Sequence, residues 1–115
     1  NHIRCAAFLN KGEIIDIVQA SKQKMLKATQ QISDTNKKKT QNSVALSLCF
    51  SCSMRKIKLA KDYTKEARIA TTKLKSDTLV GIYGYAEHIT PEDGQAKMVN
   101  ETFTSISFSN KLITE

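Results

Sequence analysis

Ser43-Val44-Ala45-Leu46-Ser47-Leu48-Cys49-Phe50 alternates between large apolar and small residues. Successive side chains of an extended chain point to opposite faces. Val44, Leu46, Leu48 and Phe50 therefore share one face, and Ala45, Ser47 and Cys49 share the other. A large apolar face backed by a small-residue face predicts a central strand covered on both sides. Ser51-Cys52-Ser53 ends the strand, and Ser53 suits the N-cap of a short helical turn from Met54 to Leu59.

On either side of this strand the chain reads as helix. Upstream, Ser21 is a candidate N-cap, and Met25, Ala28, Thr29 and Ile32 recur at helical spacing, which predicts an amphipathic helix to about Asn36. Downstream, Asp62 suits an N-cap for a helix over 62–74, with Tyr63, Ala67, Ala70 and Leu74 on one stripe. Lys73 and Lys75 favour its C-terminal dipole. Leu79–Ala86 predicts another strand, interrupted by Gly81 and Gly84, and glycine inside a strand marks a bulge or a close approach. Residues 87–99 read as a polar loop containing Pro91 and Gly94, and Thr102–Phe108 as a last strand. At the other end, residues 2–9 alternate as a strand, Asn10-Lys11-Gly12-Glu13 is turn chemistry, and Ile14–Val18 completes a hairpin. This order predicts an α+β fold, with a mostly antiparallel sheet of about five strands and two main helices.

The chain has 115 residues, enough for one domain. It begins at Asn1, inside the apolar alternation Ile3–Leu9, which leads us to expect a single-domain fragment over 1–115 with residues missing upstream. No apolar run approaches the ~20 residues of a membrane helix. Three cysteines, Cys5, Cys49 and Cys52, are an odd and low count, as expected of reduced thiols in a cytoplasmic protein. Cys49 and Cys52 have C-x-x-C spacing but neither a second pair nor neighbouring histidines, so no zinc site is expected. The net charge is +7. Its lysines are dispersed apart from Lys37-Lys38-Lys39, which reads as a helix end and solvated loop. The basic surface lacks interleaved aromatics for stacking on bases, so a nucleic-acid partner is not expected.

Three polar groups stand at strand ends: Ser51-Cys52-Ser53-Met54-Arg55, Tyr83-Gly84-Tyr85-Ala86-Glu87-His88 and Asn100-Glu101-Thr102. If the three strands are neighbours, the groups meet at one rim. An arginine can clamp a carboxylate with two parallel hydrogen bonds, and a glutamate can receive an ammonium, so the rim would suit a zwitterion such as an amino acid. The alternative is structural: Arg55 pairs with Glu87, and Asn100 satisfies loop backbone. Cys52 and His88 raise a Cys/His nucleophile pair, but no local signature marks Cys52 as activated, and no phosphate loop or zinc-protease helix is present. An enzyme is therefore not expected.

In these segments the chain resembles the C-terminal part of the FIST domain. That family reads as an apolar strand ending in Ser-Cys-x-x-Arg, a helix, a strand of the form Gly-x-Tyr-x-x-Gly-Glu, and a loop to Asn-x-Thr before a last strand. Here these are Ser51–Arg55, Gly81–Glu87 and Asn100-Glu101-Thr102, and the resemblance covers about residues 2 to 109. Ala86 stands where the family has glycine before the glutamate. The resemblance implies a cytoplasmic sensory input domain of a bacterial signalling protein, binding amino acids or similar small molecules. It implies an absent N-terminal FIST half and an output domain such as a histidine kinase, diguanylate cyclase or chemoreceptor. The implied ligand-binding residues are Cys52, Arg55, Tyr83, Glu87, Asn100 and Thr102, with no resident cofactor. Two alternatives accompany it. One is a haem-binding nitric oxide sensor with His88 or His2 as axial ligand. The other is a protein-interaction module like that of F-box FIST proteins.

Overall fold

The computed structural model describes residues 9–16, 19–85, 87–90 and 94–111. In chain order the elements are α1 (Lys22–Lys39), β1 (Leu46–Cys52), α2 (Ser53–Leu59), a 3-10 turn (Ala60–Asp62), α3 (Tyr63–Leu74), β2 (Thr78–Gly84), β3 (Glu87–Ile89), β4 (Lys97–Val99) and β5 (Phe103–Phe108). The α+β class and the two main helices, α1 and α3, are as expected. The sheet is not. It has three strands in the order β2-β1-β5, and β3 and β4 form a separate two-stranded ribbon.

Strand β1 is central, parallel to β2 and antiparallel to β5. A parallel partner needs a long crossover, and α2 with α3 supplies it. Alternation within a strand is the same whichever way its neighbour runs, which is why the sequence pattern did not reveal the mixed sheet. The predicted polar loop over 87–99 instead contains β3 and β4, whose three residues each are too short to show a period. The strand predicted over 2–9 lies, but for Leu9, outside the described residues. Of Ile14–Val18, the described part, 14–16, is not in a strand. The turn between them is present: Asn10 N and Nδ2 donate to the Glu13 carboxylate at 2.9 and 2.7 Å, and Gly12 adopts φ +95°.

Among the described residues, helices cover one face of the sheet and not both. The small face packs against helices. Ser47, Cys49 and Ser51 of β1 are buried there, and Phe103 of β5 closes a small core with Cys49, Ala70 and Leu74. Short side chains allow α1 and α3 to sit close on the strand, and Asn36 Nδ2 ties α1 to β5 by donating to Ser105 O at 2.7 Å. The helical stripes are shifted accordingly. On α1 the buried residues are Met25, Thr29 and Ser33, while Ile32 is exposed. On α3 they are Glu66, Ala70 and Leu74, while Tyr63 is exposed. The large apolar face carries Phe50, Ile82 and Ile106, which are 36%, 56% and 53% exposed. Among the described residues it is not covered by a helical layer, contrary to the expectation of a strand covered on both sides.

Candidate functional site

The pairing of β1 with both neighbours brings the three predicted polar segments to one end of the sheet. Cys52 lies opposite Gly84, and Ser51 opposite Phe103. Cys52 N also donates to Thr102 O at 3.1 Å. At this end the polar residues divide into two clusters on opposite faces.

The first cluster is on the helix side. Arg55 is buried, and its guanidinium forms an ion pair with Glu66, itself 1% exposed. The Arg55 Nε donates to Glu66 Oε1 at 2.9 Å, Nη2 to Met25 O at 2.9 Å and to Thr29 Oγ1 at 3.0 Å, and Nη1 to Glu101 O at 3.2 Å. Ser51 Oγ donates to Glu66 Oε2 at 2.7 Å. Tyr83 OH stands 3.4 Å from the same oxygen, and Lys56 Nζ lies 5.2 and 5.5 Å from the centroids of the Tyr63 and Tyr83 rings. The partner expected for Arg55 as a structural pair was Glu87, and the structure gives it Glu66 instead. Sequence reading missed Glu66; it named Ser51 in the rim and Thr29 on the helical stripe, without this role for either. The available signal was Glu66 four residues before Ala70 and eight before Leu74, a carboxylate on a buried stripe. The cavity beside this cluster, lined by Glu66, Leu79, Gly81 and Tyr83 among others, measures about 90 Å³. That is well below the roughly 300 Å³ at which small-molecule sites begin.

Burial pushes the Cys49 thiol up to about 11, with the Glu66 charge adding to it, and burial followed by Glu66 pushes the Tyr83 hydroxyl up to about 12. Cys49 is thus a protonated, unreactive thiol near neutral pH. We expect iodoacetamide to label it no faster than the domain opens. A folded pKa above the unfolded one means stability that is complete below about pH 9 and lost as pH rises toward about 11, because the unfolded chain then sheds its proton first. Urea midpoints across pH 8–11 test this, and a flat profile in which Cys49→Ala changes nothing would contradict it.

The second cluster is on the open side. Glu87, the first residue of β3, is buried and accepts from Thr102 Oγ1 at 3.1 Å and Thr102 N at 3.5 Å, both through Oε2. Its other oxygen, Oε1, is the one buried side-chain polar atom among the described residues without a hydrogen-bond partner. Thr102 is held in place by its neighbour. Glu101 adopts φ +59°, a conformation that costs a non-glycine residue about 1–2 kcal/mol. Its carbonyl accepts from Arg55, and its carboxylate pairs with Lys58. The helix-side ion pair thereby supports the backbone that positions the Glu87 anchor.

Between β3 and the open face lies a cavity of about 590 Å³, walled by Phe50, Ile82 and Ile106 from the sheet and by Glu87, His88 and Ile89 from β3. Of the predicted site residues, only Glu87 lines it, with Thr102 bonded behind. Arg55 and Tyr83 belong to the other cluster, Cys52 is buried at the end of β1, and Asn100 is exposed. His88 is exposed on β3 and is the only described histidine, since His2 lies outside the described residues, as does Ala86. A further cavity of about 510 Å³ lies between the end of α1 and β5 and is flanked by Lys39 and Lys111. Among the described residues no group of three or more His, Cys, Asp or Glu could hold a metal ion, and no helix is long and apolar enough to cross a membrane.

Fold and site together define an α+β domain with a ligand-sized cavity beside the end of its central strand. The family model described as the FIST C domain matches residues 1–90, and the chain belongs to that family. The match ends before Asn100-Glu101-Thr102 and the last strand. No curated protein and no solved structure matches the chain.

Proposed function

We propose that this is the small-ligand sensory domain of a signal transduction protein, non-catalytic, with its ligand seated between β3 and the open sheet face. Membership of the FIST C family is consistent with a sensory role. The observation that carries the reading is the cavity of about 590 Å³ lined in part by Glu87, a buried residue with one carboxylate oxygen that lacks a donor. The size falls within the range of small-molecule sites. A buried acceptor left unsatisfied costs about 1–3 kcal/mol, which a ligand donor would relieve. Following the family, the first candidates are amino acids, and the expected context is a bacterial cytoplasmic protein in which a kinase, cyclase or chemoreceptor output domain reads the ligand state.

A ligand that binds only the folded state raises stability by mass action, by about 2.7 kcal/mol at a hundred times its dissociation constant. The full-length protein, melted against a panel of amino acids and related small molecules at millimolar concentration, is expected to show at least one rise in Tm of several degrees. A panel without any shift would count decisively against the sensor reading.

A further inference from the structure

We propose that the groove between α1 and α3 docks an acidic protein segment carrying an apolar anchor. The first observation is where the charge lies. Residues 22–75, which hold all three α-helices, carry 14 of the 18 lysines and arginines and only 3 of the 11 acidic residues. The rest of the chain carries 4 basic and 8 acidic residues. Of the three acids in the helical stretch, Glu66 is buried against Arg55. The helical layer is therefore strongly basic on a chain whose remainder is net acidic. A surface of one sign attracts partners of the other and speeds their association.

The second observation is an apolar groove within that surface. Lys22 meets Asp62 at 3.8 Å, Thr29 meets Glu66 at 3.0 Å and Asp34 meets Lys73 at 3.7 Å. These contacts follow the same order in both helices, so α1 and α3 lie side by side and parallel. The two outer ion pairs are about 18 Å apart along α1. Between them Leu26 and Ile69, both half-buried, floor a cavity of about 310 Å³ walled by Lys65, Arg68, Thr72 and Lys73. Arg68 is exposed, and its planar guanidinium suits two-point capture of a carboxylate. Lys65 and Lys73 each meet one carboxylate, Asp62 at 2.9 Å and Asp34 at 3.7 Å. Surface pairs of this kind contribute little, so a partner's carboxylates can take them over at small cost. An aliphatic floor ringed by cations fits an apolar side chain flanked by carboxylates, the pattern of an acidic amphipathic helix laid into a groove. A nucleic-acid backbone would engage the cations and leave the floor unfilled. A flat membrane surface meets protruding apolar groups, and these are recessed. The groove is on the opposite side of the sheet from Glu87, and the proposal stands whether or not a ligand binds there.

The test selects binders to the full-length protein from a displayed library of random peptides, each long enough for about four helical turns. Synthetic copies of the enriched sequences are then titrated by fluorescence anisotropy against wild type, Arg68→Glu and Ile69→Ala, with circular dichroism as the check on folding. The enriched peptides are expected to combine several Asp or Glu with Leu, Ile or Phe at i, i+4 spacing. Each variant is expected to weaken them by about fivefold or more. Arg68 is exposed, so its variant keeps the test decisive even if Ile69→Ala unfolds. Enriched peptides without an acidic bias, or no enrichment at all, overturn the proposal. So does affinity unchanged in Arg68→Glu or in a folded Ile69→Ala. Mixed phosphatidylcholine–phosphatidylserine vesicles and a single-stranded oligonucleotide are titrated alongside. Either one binding wild type more tightly than the best peptide, and losing that binding in Arg68→Glu, would assign the basic face to lipid or nucleic acid and overturn the proposal as well.

Discussion

Arg55→Met is expected to destabilise the domain by about 3–5 kcal/mol, the cost of leaving a buried charge without its partner. Small domains have only about 5–15 kcal/mol in hand, so the variant should be partly unfolded or strongly shifted in urea. The ion pair itself is a weak source of stability, because desolvating both charges offsets most of their attraction. Its removal is costly because Glu66 is then stranded. With 1% exposure it cannot recover hydration, and the hydroxyls of Ser51, Thr29 and Tyr83 that remain near it do not carry compensating charge. Arg55→Met/Glu66→Leu should therefore be more stable than Arg55→Met alone, though Ser51 then loses the acceptor of its hydroxyl. Urea denaturation of wild type, both single variants and the double variant closes the cycle. A double variant no more stable than Arg55→Met would show that Arg55 acts through its bonds to Met25 O and Glu101 O instead.

Leu74→Ala is expected to cost about 2–5 kcal/mol, through lost transfer energy and the cavity left behind. Leu74 is fully buried at the end of α3, against the core formed with Cys49, Ala70 and Phe103. The strand residues facing it are short, and the ladder of β1 with β2 and β5 holds their backbone in place. The surroundings can therefore collapse little into the vacancy, which places the effect in the upper part of that range. Ile57→Ala, on the exposed side of α2, should fall within about 0.5 kcal/mol of wild type. Comparable urea midpoints for the two variants would show that the described core is not where stability resides.

Much of the architecture was legible before the structure. The strand beginning near Ser43, the helices after Ser21 and Asp62, and the strands near Leu79 and Thr102 follow from period and capping chemistry, which act within a few residues. Even the convergence of the three polar segments could be anticipated, because all three stand at strand ends. The phase of each helix was less legible. Ser33 and Glu66 are polar, so a search for apolar stripes passed over them in favour of Ile32, Tyr63 and Ala67.

The sequence by itself determined the helices and the three strands of the main sheet, the family and the small-residue face of β1. It could do so because secondary-structure period and motif spacing are local properties of the chain. Only the tertiary structure decided which way β2 runs, which face of β1 the helices cover, and which partner each charged group takes. These depend on residues distant in sequence. Arg55 and Glu87 look alike as members of one rim until the sheet is in place. Then the sheet itself separates them: Arg55 pairs with Glu66 behind the small face, and Glu87 is left in front of it with one buried oxygen unpaired.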